Sequence, residues 1–261
     1  MPPLDKPRER ALEILQKVEG GAFADALIDE MRQSFDRRDG AFILELVYGT
    51  LRNRARLDWS VDRFSVKAVE TTDAWTRNIL RLAAYQMLFL DRVPVSAAVN
   101  TATALAKVYG KKHGYVNGLL RNLDRKRDAI TFPGPEDPVR QLSVAYSHPA
   151  WLVRRWLQRF GDRATEQLLD NNNRPAQLVI RTNTLRTTRA ELKASLEAEG
   201  CPAIEAAYSP VGLELRSGPS LQDLTSYRNG WFLVQDQAAQ LVSPMLAPQA
   251  RATTLKLVPS A

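Results

Sequence analysis

Apolar positions in the first half of the chain recur with the period of a helix, segment after segment. Ala11, Ile14, Leu15 and Val18 share one helical face until Gly20-Gly21 interrupts them. Phe23, Leu27 and Met31 repeat the pattern, and Ala41, Leu44, Val47, Tyr48 and Leu51 follow behind Asp39-Gly40. Leu57, Val61 and Phe64 predict a short fourth helix. Ile79, Leu82, Ala83, Met87 and Leu90 predict a fifth, ended by Val93-Pro94. Val99, Ala102, Leu105 and Val108 predict a sixth closed by Gly110, and Val116, Leu119, Leu120 and Leu123 predict a seventh. Six or seven amphipathic segments with short breaks and almost no alternation make residues 1–131 an all-α bundle.

Past that point the texture changes. FPGPEDP (Phe132–Pro138) breaks any helix, so residues 132–146 read as a linker. His148–Phe160 is helical in pattern, with Trp151, Arg155 and Trp156 near one another. Leu178–Arg186 reads as a strand running into a turn. Thr188 with Glu191 three residues on is a capping box, opening a helix that stops at Gly200. Ile204–Arg216 predicts a hairpin around Ser209-Pro210, and Trp231–Val234 a further strand. Residues 147–234 therefore form a small α+β domain. In residues 235–261, Gln235 reads as a hinge and Asp236 as the N-cap of a helix that buries Ala239, Val242 and Leu246. Leu255, Leu257 and Val258 then resemble the start of a buried strand with no sheet after it. The fold class expected is mainly α: a helical bundle followed by a small α+β domain.

Composition narrows the chemistry. The 261 residues are 44% apolar and 25% charged, ordinary for a soluble globular protein of one or two domains. The polar, proline-bearing N-terminus lacks a secretory apolar region, and no apolar run approaches the length of a membrane span. One cysteine, Cys201, excludes a disulfide framework and fits a reducing compartment; with His113 and His148 as the two histidines, a metal centre is not expected. Charge is uneven: residues 1–127 hold 22 Lys+Arg against 16 Asp+Glu, whereas residues 128–261 hold 14 against 13. A basic half points to a polyanionic partner; the plainer alternative is scattered surface charge on a helical domain.

Several segments resemble known families. VYGTLRNRARLDW (Val47–Trp59) and YGKKHGYVNGLLRNLDR (Tyr109–Arg125) are similar to the NusB-type helical domain, most recognisably in Tyr-Val-Asn-Gly-Leu-Leu-Arg. YSHPAWLVRRW, NNNRPAQLVIRTNTLR and GWFLVQDQAAQLVSPMLAPQ occur in that order in the bacterial RsmB (Sun/Fmu) family of small-subunit rRNA cytosine-C5 methyltransferases. That resemblance covers the chain to about Gln249. It implies a NusB-like domain, then a small RNA-binding domain, then a doubly wound catalytic domain holding S-adenosylmethionine at a glycine-rich turn after its first strand. Leu255-Lys256-Leu257 stands where that strand would begin, with Lys256 near the place of the family's Asp. The resemblance therefore implies a cytoplasmic family enzyme of which this chain carries the RNA-positioning portion, ending before the Rossmann-like methyltransferase domain.

The chemistry of that family needs a cysteine thiolate to add to carbon-6 of cytosine before the methyl group reaches carbon-5. Cys201 is the one candidate nucleophile, and it follows a predicted helix C-terminus, where partial negative charge raises a thiol pKa. A packed or surface thiol is the better reading. No strand–glycine turn–helix unit is evident for a nucleotide-like ligand, so no cofactor is expected in this chain, and no catalytic residue.

RNA binding needs less: presented cations, and flat side chains for unpaired bases. Arg8, Arg10 and Lys17 lie on or before the first helix; Arg52, Arg54 and Arg56 follow the third; Lys111, Lys112, Arg121, Arg125, Lys126 and Arg127 surround the last. In NusB-type domains an Arg-bearing N-terminal helix and neighbouring loops bind RNA, which the resemblance transfers to the first and third groups. Each group also reads as a solvated helix face. In the signature, Gly118 suggests a close helix approach and Asn117 a local hydrogen bond. In the second domain the candidates are Arg154, Arg155, Arg174, Arg181 and Asn183. The last two share one face of a period-2 strand, suited to RNA or to docking on the methyltransferase domain. Trp151, Trp156 and Trp231 read as core. The expected partner is small-subunit rRNA, with no membrane. The alternative is a NusB-type transcription antitermination factor, and a third is a regulator acting through protein contacts alone.

Overall fold

The computed structural model describes residues 4–31 and 34–246, and the expected strand at Leu255–Val258 lies outside the described residues. The chain forms two compact units, dividing between Arg174 and Pro175.

The first unit is helical throughout. Helix α1 (Lys6–Glu19) starts where Asp5 accepts a 3.1 Å hydrogen bond from the Arg8 amide, and it buries Ala11, Leu12, Ile14 and Leu15. Helix α2 (Ala24–Met31) buries Ile28 and Met31; Phe23, expected on its apolar face, precedes it and is exposed. Helix α3 (Arg37–Arg52) begins earlier than Asp39-Gly40 suggested, because the Asp36 side chain caps it through the Asp39 amide. Helix α4 (Arg54–Asp62) follows after one residue. Helix α5 (Ala74–Phe89) is central: ten consecutive residues, Asn78–Met87, are buried, so neighbours enclose it on every side. Helix α6 (Val95–Leu105) runs into a π turn over Ala106–Gly110, and Lys111 at φ 53° reverses the chain into helix α7 (His113–Lys126).

A single core joins these helices. The tightest contact within it was not anticipated: a Cβ on Gly49 of α3 would lie 2.0 Å from the Tyr85 ring of α5. Tyr85 donates a hydrogen bond to Glu45, and burial with that bond raises its pKa. Gly118, where close approach was expected, is exposed and faces open space, since a Cβ there would meet nothing within 4 Å.

The stretch read as a linker contains helix α8 (Pro138–Ala145). Asp137 caps it by accepting from the Arg140 amide at 3.0 Å, and Pro138 sits at its first position, so these residues start a helix as well as ending one. Helix α9 (Ala150–Asn173) packs on α8 and is nearly twice the expected length. Gly161, at φ 74°, kinks it into two segments.

The second unit carries strand β1 (Leu178–Thr182), helix α10 (Arg189–Ala198), β2 (Ala203–Glu205), β3 (Gly212–Leu215), a short helix α11 (Thr225–Arg228), β4 (Phe232–Val234) and helix α12 (Gln237–Leu246). The sheet order is β2-β3-β1-β4, every pair antiparallel. Ile180, Leu192, Leu196, Leu213, Leu224 and Phe232 form its core. The Thr188–Glu191 capping box opens α10 as expected, and Gly200 in the left-handed region closes it. Glu199 then reaches the start of α11, accepting from the Thr225 amide at 2.5 Å and the Ser226 amide at 3.3 Å. Burial pushes the Glu199 carboxyl up, but hydrogen bonds from Ser226, Ser195 and Thr225 outweigh it and hold the group below its ordinary value.

Asp236 caps α12 through the Ala238 amide at 2.8 Å. The expected burial of Ala239, Val242 and Leu246 does not occur: all three are exposed. Among the described side chains of α12 the buried one is Gln240, which accepts from Ser209 Oγ at 2.6 Å and donates to the Gln235 carbonyl at 2.8 Å.

Candidate nucleic-acid interface

The candidate cations fall into two populations. Arg8 is held inside the first unit: it pairs with Asp5 at 2.6 Å, donates to Gln86 Oε1 at 2.6 Å and lies 5.0 Å from the centre of the Phe42 ring. Arg56 lies against two rings, Phe89 at 5.1 Å and Phe132 at 5.2 Å; burial depresses its pKa, partly offset by Tyr146. Both guanidinium groups are half-buried and engaged within the unit, Arg8 with a carboxylate, an amide and a ring and Arg56 with two rings. Asn183 lies beyond the end of β1; its Nδ2 donates to the Gly230 carbonyl at 2.9 Å and its Oδ1 accepts from the Leu185 amide, so it shapes a turn. Arg181 is half-buried, with Gln235 Oε1 3.5 Å from its Nη1.

A second set is partnered, with Arg10 half-buried and the others exposed. Arg10 pairs with Glu13 at 2.9 Å, Lys112 with Asp73 at 2.9 Å and Arg174 with Asp170 at 2.6 Å. Burial raises the Asp73 carboxyl, but the Thr76 amide and Lys112 hold it below its usual value. Arg121 donates to Asn117 Oδ1 at 2.9 Å, the local role foreseen for that asparagine. Arg127 lies 4.0 Å from Asp128, at the limit of an ion pair.

The rest stand free. Lys17, Arg54, Lys111, Arg125, Lys126, Arg154 and Arg155 are exposed and form no ion pair among the described residues; Arg52 is half-exposed and also unpaired. Arg125 and Lys126 close α7, and Gly118 lies on the exposed side of the same helix. Arg154 and Arg155 occupy the first segment of α9.

An open groove of about 660 Å³ has the opposite chemistry. Arg56 and Phe132 line one part of it, and Asp162, Glu166 and Asp170 from the second segment of α9 line another. Tyr146 donates to Glu166 at 2.9 Å there. Three carboxylates make this part of the groove unfavourable for a phosphate.

Cys201 is 2% exposed; burial, then the charge of Glu199, pushes its thiol up, away from the thiolate that attack on a base requires. The described residues do not fit S-adenosylmethionine. Their sheet is wholly antiparallel, and a parallel strand–glycine turn–helix unit is not among them. Nor do the described residues place three or more His, Cys, Asp or Glu side chains to hold a metal ion, and no helix among them is long and apolar enough to cross a membrane.

Comparison with known proteins locates both units. Residues 5–125 match the NusB family, and residues 148–222 match the ferredoxin-like domain of the RsmF/B-like methyltransferases. The second match begins within the first compact unit, so α9 belongs by sequence to one domain while packing with the other. The chain is 33% identical over 253 residues to the "Probable ribosomal RNA small subunit methyltransferase B" of Bacillus subtilis (strain 168), covering 95% of this chain and 56% of that one. The "Ribosomal RNA small subunit methyltransferase B" of Proteus mirabilis (strain HI4320) is 30% identical over 240 residues, covering 90% and 55%. The chain thus spans about half the length of the curated relatives it matches. The crystal structure of PH0851 superposes with a TM-score of 0.64 at 21% identity, over 95% of this chain and 56% of that one, which supports the fold. Residues 5–125 are thus similar to the NusB family, and with both matched domains in order the chain is similar to ribosomal RNA small subunit methyltransferase B proteins over nearly its whole length.

Proposed function

We propose that this chain is the RNA-holding portion of a small-subunit rRNA cytosine-C5 methyltransferase of the cytoplasm. The observation that carries the reading is the collinear similarity to methyltransferase B proteins across 95% of the chain, through both domains. The unpaired cations at the end of α7 and on α9 give it a physical basis. Each phosphate they neutralise releases condensed counterions, so affinity comes without sequence readout. Lys17, Arg52, Arg54, Lys111, Arg125, Lys126, Arg154 and Arg155 are the proposed phosphate contacts, with Arg10, Lys112, Arg121 and Arg174 available where an RNA phosphate displaces their present partners. Methyl transfer from S-adenosylmethionine is assigned to the part of such enzymes that this chain does not match, so the chain by itself is expected to be inactive.

An antitermination role remains the competing reading, favoured by the NusB match over residues 5–125. It leaves residues 148–222 without a task. Binding assays separate the two. Preference for a small-subunit rRNA hairpin over a short leader RNA and a ribosomal protein supports the methyltransferase reading; the reverse preference defeats it. Methyl transfer to rRNA by this chain alone would also defeat the division of labour.

A further inference from the structure

Trp151 is not where an indole was expected. It is 62% exposed at the start of α9, while Val153 is fully buried. At 100° per residue, Trp151, Arg154, Arg155 and Gln158 fall within about 100° of arc on the side away from Val153, and all four are exposed. Residues 150–160 contain three arginines and no carboxylate. Arg154 and Arg155 have no ion-pair partner among the described residues, and the Arg159 guanidinium sits 5.4 Å from the centre of the Phe160 ring. The break at Gly161 separates this segment from the one that bears Asp162, Glu166 and Asp170.

An exposed indole with cations beside it and no aliphatic neighbours on the same face is poorly suited to an apolar protein groove. It is well suited to a nucleobase, whose flat face stacks on the ring while its flanking phosphates meet guanidinium groups. We propose that Trp151 is a stacking platform for one unpaired base of RNA, with Arg154 and Arg155 holding the adjoining phosphates. The site rests on the RNA-binding reading above and adds to it a preference for single-stranded nucleotides.

Fluorescence anisotropy with two labelled RNAs of equal charge, one unpaired and one a fully paired hairpin, tests the site. Trp151→Ala should weaken binding of the unpaired RNA about tenfold, within the range that one base–aromatic stack supplies, and leave the hairpin nearly unchanged. Trp151→Phe should recover most of the loss. Replacing Arg154 and Arg155 by Gln should weaken both RNAs and flatten the log–log salt slope on the unpaired one by about 1.4. Circular dichroism of each variant confirms that the fold is retained. Unchanged affinity of Trp151→Ala for the unpaired RNA, or equal losses on both RNAs, overturns the stacking site while leaving the broader function standing. Failure of the unaltered protein to bind either RNA overturns both.

Discussion

The centre of the helical unit and its α7–α9 surface use the same residue types for opposite ends. At the centre, Arg81 is 2% exposed and forms a two-pronged pair with Asp58, Nε to Oδ1 at 2.6 Å and Nη2 to Oδ2 at 2.7 Å. Arg8 and Arg56 are spent in a similar way, on carboxylate, amide and rings. On the surface, Arg125, Lys126, Arg154 and Arg155 touch no carboxylate among the described residues. A basic composition therefore says little until each cation is assigned to one population. Buried cations hold helices together; exposed, unpaired ones are available to a polyanion.

The contrast predicts that substitutions at the centre change stability and spare the salt dependence of RNA binding, whereas surface substitutions do the reverse. The largest effect belongs to Asp58→Ala, which leaves the buried Arg81 with Glu19 at 3.7 Å as its remaining carboxylate and should lower unfolding free energy by about 3 kcal/mol, read as a lower urea midpoint. Gly49→Ala comes next. The added methyl collides with the Tyr85 ring, and overpacking of this kind costs about 1–3 kcal/mol, again read by urea unfolding. Arg125→Gln with Lys126→Gln should leave the midpoint within about 0.5 kcal/mol of the parent while weakening RNA binding. A result in which the surface pair unfolds the protein, or Asp58→Ala leaves it untouched, would erase the distinction.

The smallest effect concerns pH in the second unit. Glu199 has a depressed pKa in the folded state, so its contribution is full above the unfolded value of about 4.3 and is lost as pH falls through the folded value. Protection of the Thr225 and Ser226 amides from hydrogen exchange should therefore fall in acid, and Glu199→Gln should remove most of that dependence. Protection unchanged on acidification would show that the carboxylate does not hold α11.

Much of this architecture was legible before the structure. Seven helices in residues 1–131, the capping box at Thr188, the hairpin around Ser209-Pro210 and the strand before Gln235 follow from periodicity and turn chemistry, which act locally. What escaped depends on neighbours distant in sequence. Gly49 is needed because Tyr85, 36 residues on, occupies the space of its side chain; its place among buried Leu46, Val47 and Thr50 was the available hint. Trp151 is exposed although tryptophan ordinarily favours a core, and no pattern within α9 decides which face finds a partner. Arg8 and Arg56 could not be told from Arg125 and Arg154, since a guanidinium in sequence carries no mark of whether a ring or carboxylate lies across from it. Charge-run reasoning located basic segments; packing decided which of their members reach the surface.

The most direct measurement is the salt dependence of binding to an unpaired small-subunit rRNA segment, for the parent and for a variant with Gln at positions 125, 126, 154 and 155. If these four cations each neutralise a phosphate, the log–log slope should become shallower by about 2.8, with an unchanged urea midpoint. An identical slope for the two proteins would contradict the assignment of RNA binding to the exposed cations of α7 and α9.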